Sequence, residues 1–442
     1  PISAQIRTRS CTQPRRQTSN PSYRKLKGFK IGHLNIASLF KHIEELRIFM
    51  QNQTFDILSI NETRLDNTIS NDEVKITGYD LIREDRNRNG GGVAIYVRRT
   101  IPYTDRNDLL TNNAEAICLE INKPKSKALI ISTWYRPPSA NIELLDYFNN
   151  FLQKVDDEDK DIIITGDFNC NFLASDYNEH TNKLNDLINE YQLQQIIKNP
   201  TRITPTTKTL LDIIITKIDD TKITDSGVIH LGISDHSLVY VCRKVSIPRE
   251  KPKIVETRQF KNFNTSNFQQ DLRQAFGSVH LYNCTDPDAA WHTWKMLFLG
   301  VADHHAPLKT RKVKSEYNPW MTNEIKSLSY HRDFLKKKAI KHNSTRYHEL
   351  YKDCRNNLNR LIKNTKAEYF KHKLENSKNC KDGWKTINEL LNKKSKSTII
   401  NKIKTENVEV TGDKNIAEEF NRYFSTIGPK LGDNLPSSEI NP

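Results

Sequence analysis

The chain has 442 residues, of which 36% are hydrophobic and 27% are charged. This length is sufficient for two or three folded units. No stretch approaches the roughly 18 consecutive apolar residues that cross a bilayer, which excludes an integral membrane protein, and no signal peptide is expected. The seven cysteines include no Cys-x-x-Cys pair, which disfavours a disulfide framework or a cysteine zinc site and favours an intracellular protein.

The net charge of +15 is distributed unevenly along the chain. Residues 1–30 carry +8, residues 31–240 carry −9, and residues 301–400 carry +14. A basic region of this size favours a polyanionic partner, because lysines and arginines that neutralise phosphates release bound counterions. The acidic body indicates that some of its carboxylates have a role other than solubility.

The first segment, residues 1–27, is rich in Arg, Ser and Pro and has no acidic residue. This composition predicts a disordered basic arm. It contains no clear targeting signal. Because the sequence begins with Pro1, we expect it to be part of a longer open reading frame.

Residues 28–245 alternate between short apolar runs and amphipathic segments. The amphipathic segments predict helices at 42–51, 144–155 and 184–191. The apolar runs predict strands at 29–35, 56–60, 93–97, 116–121, 128–135, 161–166, 213–216 and 238–243. Strands interspersed with helices over this length predict a layered α/β or α+β domain.

The second half of the chain is predicted to be mostly helical. Residues 246–320 are predicted to be a linker with short helices, in which Trp291 and Trp294 pack as core or interface aromatics. Residues 321–400 form a basic helical connector, in which residues 321–374 have strong helical periodicity. One face of this segment is apolar: Tyr347, Leu350, Tyr351, Cys354, Leu358, Leu361 and Ile362. Residues 413–427 predict another amphipathic helix, capped by Asp413 and ended by Gly428.

Short polar segments lie at the ends of the predicted strands. Because a polar residue at the end of a buried strand lies at the rim of its sheet, we expect these segments to converge on one site. They are His33-Leu34-Asn35, Asn61-Glu62-Thr63, Trp134-Tyr135-Arg136-Pro137-Pro138, Gly166-Asp167-Phe168-Asn169, Leu210-Leu211-Asp212 and Ser234-Asp235-His236.

This ordered set contains every group that hydrolysis of a phosphodiester requires. The reaction needs a divalent cation on oxygen ligands, a group that takes a proton from water, and donors for the developing phosphate charge. Each motif alone is weak evidence, since a single Glu after a strand is usually a solvated loop residue and Gly-Asp-Phe-Asn also suits a turn.

The set resembles the endonuclease/exonuclease/phosphatase superfamily, and its details resemble the endonuclease domain of LINE (non-LTR) retrotransposons, closest to the jockey-like group. The stretches that carry the resemblance are HLNIASL, SINETRL, GGGVAIYV, STWYRPP, ITGDFN, LLDIIIT and ISDHSLVYV. The resemblance implies a four-layer sandwich of two packed β-sheets flanked by helices, followed here by the basic helical connector.

The resemblance also implies a role for each site residue. Glu62 is expected to be the principal ligand of Mg²⁺, with Mn²⁺ as a possible substitute, and Asp235 is expected to be a second metal ligand. Asp167 is the expected acid/base, and Asp212 is expected to orient the ring of His236. The residues expected to contact phosphate are Asn35, Tyr135, Asn169, His236 and, more weakly, Thr209.

One position departs from the repair enzymes of the superfamily. These enzymes typically have an acid two residues after the first Asn, where this chain has Ala37. The departure leaves the choice between a one-metal and a two-metal mechanism open.

The expected organisation is a basic arm (1–27), a nuclease domain (28–245), a linker (246–320), a basic connector (321–400) and a segment that precedes a reverse transcriptase domain (401–442). The expected function is nicking of double-stranded DNA in the nucleus. Further expected partners are the transposon RNA, bound by the connector, and the reverse transcriptase domain of the full-length protein. Two alternatives remain: a phosphatase or phosphodiesterase with another substrate, and a domesticated relative that binds nucleic acid without cutting. A further alternative is that the connector lysines do not bind nucleic acid and only solvate a helix whose apolar face packs on the polymerase.

Overall fold

The computed structural model describes residues 26–52, 55–111, 114–122, 127–245, 254–277, 286–312, 318–393, 402–405 and 408–432. The chain divides into two compact units, Pro1–Asn376 and Ser377–Pro442. The predicted basic arm, residues 1–27, lies almost entirely outside the described residues. None of the helices in the described part of the chain combines the length and apolarity that crossing a bilayer requires.

Two six-stranded sheets form the centre of the first unit. The first sheet has the order β13-β14-β1-β2-β4-β3, and its strands are β1 (Phe29–Asn35), β2 (Ile57–Asn61), β3 (Tyr79–Glu84), β4 (Val93–Arg98), β13 (Ile223–Ile229) and β14 (Leu238–Arg243). The second has the order β5-β6-β7-β8-β12-β9, and its strands are β5 (Tyr103–Asp105), β6 (Ala116–Ile121), β7 (Leu129–Tyr135), β8 (Asp161–Asp167), β9 (Leu193–Gln195) and β12 (Asp212–Lys217).

One pair of strands in each sheet is parallel, and these pairs bring the polar strand ends together. β1 pairs with β2 in parallel, with Asn35 opposite Asn61. β7 pairs with β8 in parallel, with Tyr135 opposite Asp167. β12 runs antiparallel to β8 and begins with Asp212 opposite Asp167. The carboxyl ends of four strands and the start of a fifth therefore lie at the rims of the two sheets.

The main hydrophobic core lies between the two sheets. Alternating residues of β1 and β4, such as Ile31 and Ile95, pack with β6 and β7 in this layer. The helix α1 (Leu39–Asn52) covers the outer face of the first sheet, and its apolar side chains share a second core with Leu34 and Tyr96. The helices α3 (Leu144–Asp157) and α4 (Glu179–Glu190) pack on the second sheet. The predicted four-layer sandwich is confirmed.

The strands that sequence analysis missed lie mostly at sheet edges. β3 and β13 are half-buried along most of their lengths and carry polar residues, so they lack a continuous apolar run. The remaining short elements of the first unit are α2 (Asn71–Val74), the 3₁₀ turn Asn107–Leu109, and the strand pairs β10 (Arg202–Ile203) with β11 (Lys208–Thr209) and β15 (Ile254–Arg258) with β16 (Leu308–Lys312).

The helical periodicity of residues 321–374 corresponds to two helices, α7 (Asn323–His342) and α8 (Thr345–Glu375). We call this pair the connector hairpin. The first helix ends because Asn343 adopts the left-handed conformation, with φ 46°. The apolar face of α8 packs inside the first unit: Tyr351 and Cys354 contact Leu335 of α7, and Leu358 and Ile362 share a core with Ile48 of α1. The packing partner of these four residues is therefore this chain and not a polymerase.

Residues 254–312 contain a second helical pair, α5 (Thr265–Gly277) and α6 (Pro287–His305). Trp291 does not pack in a core, since 60% of its surface is exposed, and the alternative that it lies in an interface stays a prediction. Its ring stacks on Trp294, with ring centroids 5.2 Å apart. Trp294 also stacks on Phe298, with ring centroids 5.2 Å apart, so Trp291 lies at the end of a row of stacked rings along α6.

The second unit contains α9 (Cys380–Leu390), the antiparallel pair β17 (Lys402–Thr405) and β18 (Val408–Thr411), and α10 (Asp413–Gly432). The prediction that Gly428 ends the last helix was wrong. The helix continues through Gly428 and Pro429 to Gly432, because Gly428 does not adopt the left-handed conformation that terminates a helix.

Candidate active site

Strand register brings the predicted site residues to one end of the sandwich. Asn35, Tyr135 and Asp167 end their strands, Glu62 directly follows β2, and Asp212 begins β12. His236 lies two residues before β14 and forms a bridge with Arg202. These side chains come from both sheets.

Asn35 connects the two sheets. Its Nδ2 atom donates to Oε1 of Glu62 at 3.0 Å and to Oδ2 of Asp167 at 2.8 Å. The backbone amide of Ala37 donates to the Oδ1 atom of Asn35 at 3.1 Å, which fixes the orientation of the amide. The side chain of Asn35 therefore contacts two carboxylates through one nitrogen atom.

The backbone around Glu62 is strained. Glu62 and Arg64 have φ values of 52° and 50°, which are uncommon for residues with a Cβ. The backbone amides of Thr63 and Arg64 donate to the carbonyl oxygens of Gly92 and Gly91, and a Cβ on Gly92 would lie 2.5 Å from Oγ1 of Thr63. The close approach of this glycine loop stabilises the turn, and strain of this kind is concentrated at functional sites.

The carboxylate of Glu62 accepts hydrogen bonds at both oxygens. Tyr135 donates its hydroxyl to Oε1 at 3.3 Å, and Arg64 donates to Oε2 at 2.6 Å. Burial alone would raise the pKa of Glu62, but hydrogen bonds from Asn35 and Arg64 hold it below its ordinary value. Burial and the nearby carboxylates raise the pKa of Tyr135 well above its usual range. At neutral pH Glu62 is therefore ionised and Tyr135 is a hydrogen-bond donor.

Asp167, Asp212 and His236 form a buried group whose ligand atoms all lie within 4.8 Å of one another. Nδ1 of His236 lies 2.8 Å from Oδ2 of Asp212 and 3.8 Å from Oδ2 of Asp167. All three side chains are buried. Two carboxylates and one imidazole therefore share a site with little access to water.

This environment separates the pKa values of the three groups. Burial and the charge of Asp212 raise the pKa of Asp167 to about 6. Burial would also raise the pKa of Asp212, but the charge and hydrogen bond of His236 hold it well below its usual range. Burial would lower the pKa of His236, but the charge of Asp212 and its hydrogen bond, followed by the charges of Asp167 and Asp235, raise it to about 9. At neutral pH, Asp212 and His236 form an ion pair and Asp167 exchanges a proton readily.

Asn169 stabilises the same rim from the loop after β8. Its backbone amide donates to Oδ1 of Asp167 at 3.0 Å, and its Nδ2 atom donates to the carbonyl oxygen of Arg136 at 2.8 Å. Its φ of 50° lies in the left-handed region, which Asn tolerates better than most residues. The loop that carries Asn169 thus fixes one oxygen of Asp167.

The sequence of residues 32–236 matches the Endonuclease/Exonuclease/phosphatase family. These residues form a domain of that family. Similar solved structures include the endonuclease domain of TRAS1, a telomere-specific non-LTR retrotransposon (16% identity, TM-score 0.41, covering 49% of this chain and 99% of that chain). Others are the 3'-5' exonuclease NExo from Neisseria meningitidis and an AP endonuclease from Archaeoglobus fulgidus (each 15% identity, TM-score 0.40, covering 49% of this chain and 100% of that chain). No curated protein matches the chain.

Two predicted residues lie at the margin of this endonuclease/exonuclease/phosphatase domain's site. Asp235 is exposed, and its Oδ2 atom accepts from Nε of Arg202 at 3.0 Å, while its charge contributes to the raised pKa of His236. Thr209 lies in β11, where its hydroxyl donates to the carbonyl oxygen of Arg202 at 3.5 Å. Both residues contact the same arginine, so the β10–β11 pair connects them to the rim.

Sequence reasoning missed two residues that contact the site. His33 is fully buried, and its Nε2 atom lies 3.6 Å from Oδ1 of Asp212. Asp212 therefore lies between two imidazoles. Arg64 contacts Glu62, as described above. The sequence did contain a signal for His33. It lies two residues before Asn35 on β1, so both polar side chains point to the same face near the end of the strand.

The family's nucleases typically depend on a divalent metal, and the donor set fits such an ion. Mg²⁺ prefers oxygen ligands, and the ionised carboxylate of Glu62 supplies them at the half-buried edge of the site. Asp167 contacts the same Asn35 nitrogen as Glu62 does. The imidazole of His236 is already paired with Asp212. The residues that could bind the ion are therefore Glu62 and Asp167, with Asp235 on the exposed side.

A second group of possible metal ligands lies outside this domain. Asp271 of α5 lies beside His304 and His305 of α6, and one ligand atom from each of the three residues lies within 4.8 Å of the others. Nε2 of His305 lies 2.8 Å from Oδ2 of Asp271, and His304 is exposed. The hydrogen bond between His305 and Asp271 explains this arrangement without a metal.

Proposed function

We propose that the domain is a divalent-metal-dependent endonuclease that nicks double-stranded DNA and leaves a 3'-hydroxyl to prime reverse transcription of a non-LTR retrotransposon. The observation that carries the proposal is the buried Asp212–His236 ion pair beside Asp167, with Asn35 bridging Asp167 to Glu62. At one rim, this arrangement places an acid/base in Asp167, a positively charged imidazole in His236 and a carboxylate for a metal in Glu62.

In the proposed reaction, Asp167 takes a proton from the attacking water, and its near-neutral pKa suits that exchange. The water oxygen bonds to phosphorus, the bond from phosphorus to the 3'-oxygen breaks, and the 3'-oxygen takes a proton from solvent to leave as the hydroxyl. His236, held by Asp212 through Nδ1, donates from Nε2 to a phosphate oxygen and stabilises the charge that develops there. Tyr135 and Asn169 donate to the phosphate or orient the water. Asn35 holds the carboxylates of Asp167 and Glu62 close together by donating a hydrogen bond to each.

Glu62 is the proposed principal ligand of Mg²⁺, and Asp235 is a further ligand on the exposed side. When bound, the ion neutralises phosphate charge and polarises the bond that breaks. Mn²⁺ should substitute, since it accepts the same oxygen ligands.

The sequence motifs support DNA of a retrotransposon target as the substrate. The stretches STWYRPP and GGGVAIYV resemble the transposon branch rather than the repair enzymes. On this basis the full-length parent is proposed to be an RNA-directed DNA polymerase that acts in the nucleus and binds its own RNA. The connector makes up most of residues 301–400, which carry +14, and it is the proposed nucleic-acid contact.

A same-fold phosphatase or phosphodiesterase with another substrate is the main alternative. The basic connector favours a nucleic acid, because a small phosphate ester gains nothing from a long basic helix. A relative that binds without cutting is disfavoured by the complete set of site residues.

The test uses the full chain, supercoiled plasmid and Mg²⁺. The proposal predicts nicked circles whose ends a DNA polymerase extends directly, without prior phosphatase treatment. Asp167→Asn should abolish most of the nicking, and Asp186→Asn, an exposed position on α4, is the matched control. Intact plasmid together with hydrolysis of a phosphomonoester would instead support the phosphatase alternative.

A further inference from the structure

The loop that carries Asp235 and His236 contacts the connector hairpin through its backbone. Residues 230–236 connect β13 to the site. The amide of Gly232 donates to Oδ1 of Asp333 at 2.9 Å, and the carbonyl oxygen of Gly232 accepts from the hydroxyl of Tyr351 at 3.0 Å. The ammonium group of Lys336 donates to the carbonyl oxygen of Ser234. Three backbone groups within residues 232–234 are thus hydrogen-bonded to side chains about 100 residues later in the chain.

These connector side chains are themselves buried and fixed. Arg332 donates to Oδ1 of Asp333 at 2.9 Å and forms an ion pair with Glu45 of α1. Nζ of Lys336 lies 5.7 Å from the centre of the Tyr351 ring. Only 4% of Lys336 and 1% of Arg332 are exposed. Burial of charged groups is unfavourable unless they are paired, so their contacts with the nuclease domain are specific.

The approach of the two segments requires glycine. A Cβ on Gly232 would lie 2.4 Å from Nε of Arg332. This distance is shorter than any tolerated contact, so a side chain here would separate the loop from α7. The sequence of the loop and that of the hairpin therefore fit each other.

We propose that the connector hairpin is a structural part of the active site, in which Asp333, Lys336 and Tyr351 are positioning residues for the loop 230–236. They act through Asp235 and His236 and do not touch the substrate. The expected effects on the nicking rate rest on the proposed function. The working nuclease thus extends beyond residue 245, through the end of α8.

The test uses two full-chain variants with matched controls. Tyr351→Phe removes one hydroxyl, and Lys336→Met removes the ammonium group while keeping the chain length. Tyr347→Phe removes a hydroxyl from a position of the hairpin without a contact to the loop, and Lys183→Met removes an ammonium group on α4, outside both the connector and the site. Each test variant should accelerate amide hydrogen exchange in residues 230–236 and lower kcat for nicking by about 10-fold, the scale of one buried hydrogen bond, with DNA affinity unchanged. The controls should match the unmodified chain.

A double-mutant cycle separates positioning from general destabilisation. If Tyr351 acts through the loop, Tyr351→Phe should change the residual rate by less than about twofold in a His236→Ala background. An equal loss of rate in both backgrounds, or unchanged loop exchange in the single variants, would overturn the proposal. Failure of the unmodified chain to nick DNA would instead refute the proposed function, while the exchange measurement would still test the positioning contacts.

Discussion

The Nδ1 atom of His236 lies 2.8 Å from Oδ2 of Asp212, and both side chains are buried. Since burial disfavours an isolated imidazolium, the charge of the aspartate must maintain it. Asp212 in turn lies near a second imidazole, that of His33. The cation that the proposed reaction requires is thus a property of a buried pair and not of His236 alone.

Replacing Asp212 with Asn should lower both the pKa of His236 and the nicking rate. Burial lowers the pKa of His236 and remains in the variant, whereas the largest contribution that raises it to about 9 is lost. We expect the pKa to fall toward or below its ordinary value and the rate to fall by roughly 10²-fold or more. An NMR titration of the metal-free protein measures the first effect, and a plasmid assay measures the second. An unchanged pKa would contradict the account of the pair.

Replacing Glu62 with Gln should raise the metal requirement as well as slow the reaction. The amide keeps the size of the side chain but removes the charge that favours a divalent cation. The Mg²⁺ concentration for half-maximal nicking should therefore increase. Glu190→Gln, an exposed position on α4, is the control. Superimposable metal titrations for Glu62→Gln and the unmodified chain would exclude Glu62 as the principal ligand.

The exposed face of α8 should supply affinity for DNA. At about 100° per residue, its exposed basic positions fall within roughly 120° of the helix, opposite Tyr351 and Leu358: Arg346, Lys352, Arg360, Lys363 and Lys371. Replacing all five with Gln should weaken binding and reduce the salt slope by up to about 0.9 per lost phosphate contact. Base preference at the nick should not change. Fluorescence anisotropy across salt concentrations measures the effect, and identical slopes would show that these side chains only solvate the helix.

His230 should make the first unit less stable in mild acid. Burial and the charges of Lys336 and Lys337 lower the pKa of His230 to about 4, while in the unfolded chain it is close to 6.5. Between these two pKa values the unfolded state binds more protons than the folded state. The contribution of His230 to the free energy of unfolding is therefore fully present above about pH 6.5 and decreases as the pH falls. The slope from this group is at most about 1.4 kcal/mol per pH unit. Urea unfolding of His230→Asn should show a shallower decrease; an identical pH dependence would rule out this contribution.

Much of the nuclease fold is encoded in local patterns. The buried strands β1, β6 and β14 contain closely spaced apolar residues, and their bounds were predicted correctly. Edge strands such as β3 and β13 carry mixed, half-buried residues and lack such a signal. The break between α7 and α8 depends on a single left-handed residue, Asn343, within a segment whose helical periodicity does not stop.

The candidate site was predictable where polar residues end buried strands, as at Asn35 and Asp167. Contacts between segments that are distant in the sequence were not predictable. Lys336 and Arg332 have the composition of a solvated basic helix, and only the tertiary structure shows that they are buried. The position of His33 beside Asp212 likewise depends on how the two sheets pack. The roles assigned to the site residues remain predictions.

The most direct test of the central claim is the nicking rate of supercoiled plasmid by the full chain, measured with Mg²⁺, with excess EDTA, and after Mg²⁺ is restored. The account predicts nicking with Mg²⁺, loss of activity in EDTA, full recovery on restoration, and a rate about 10²–10⁴-fold lower for His236→Ala under each permissive condition. Nicking that persists in EDTA, or a His236→Ala variant as active as the unmodified chain, would contradict a metal-dependent phosphodiesterase centred on these residues.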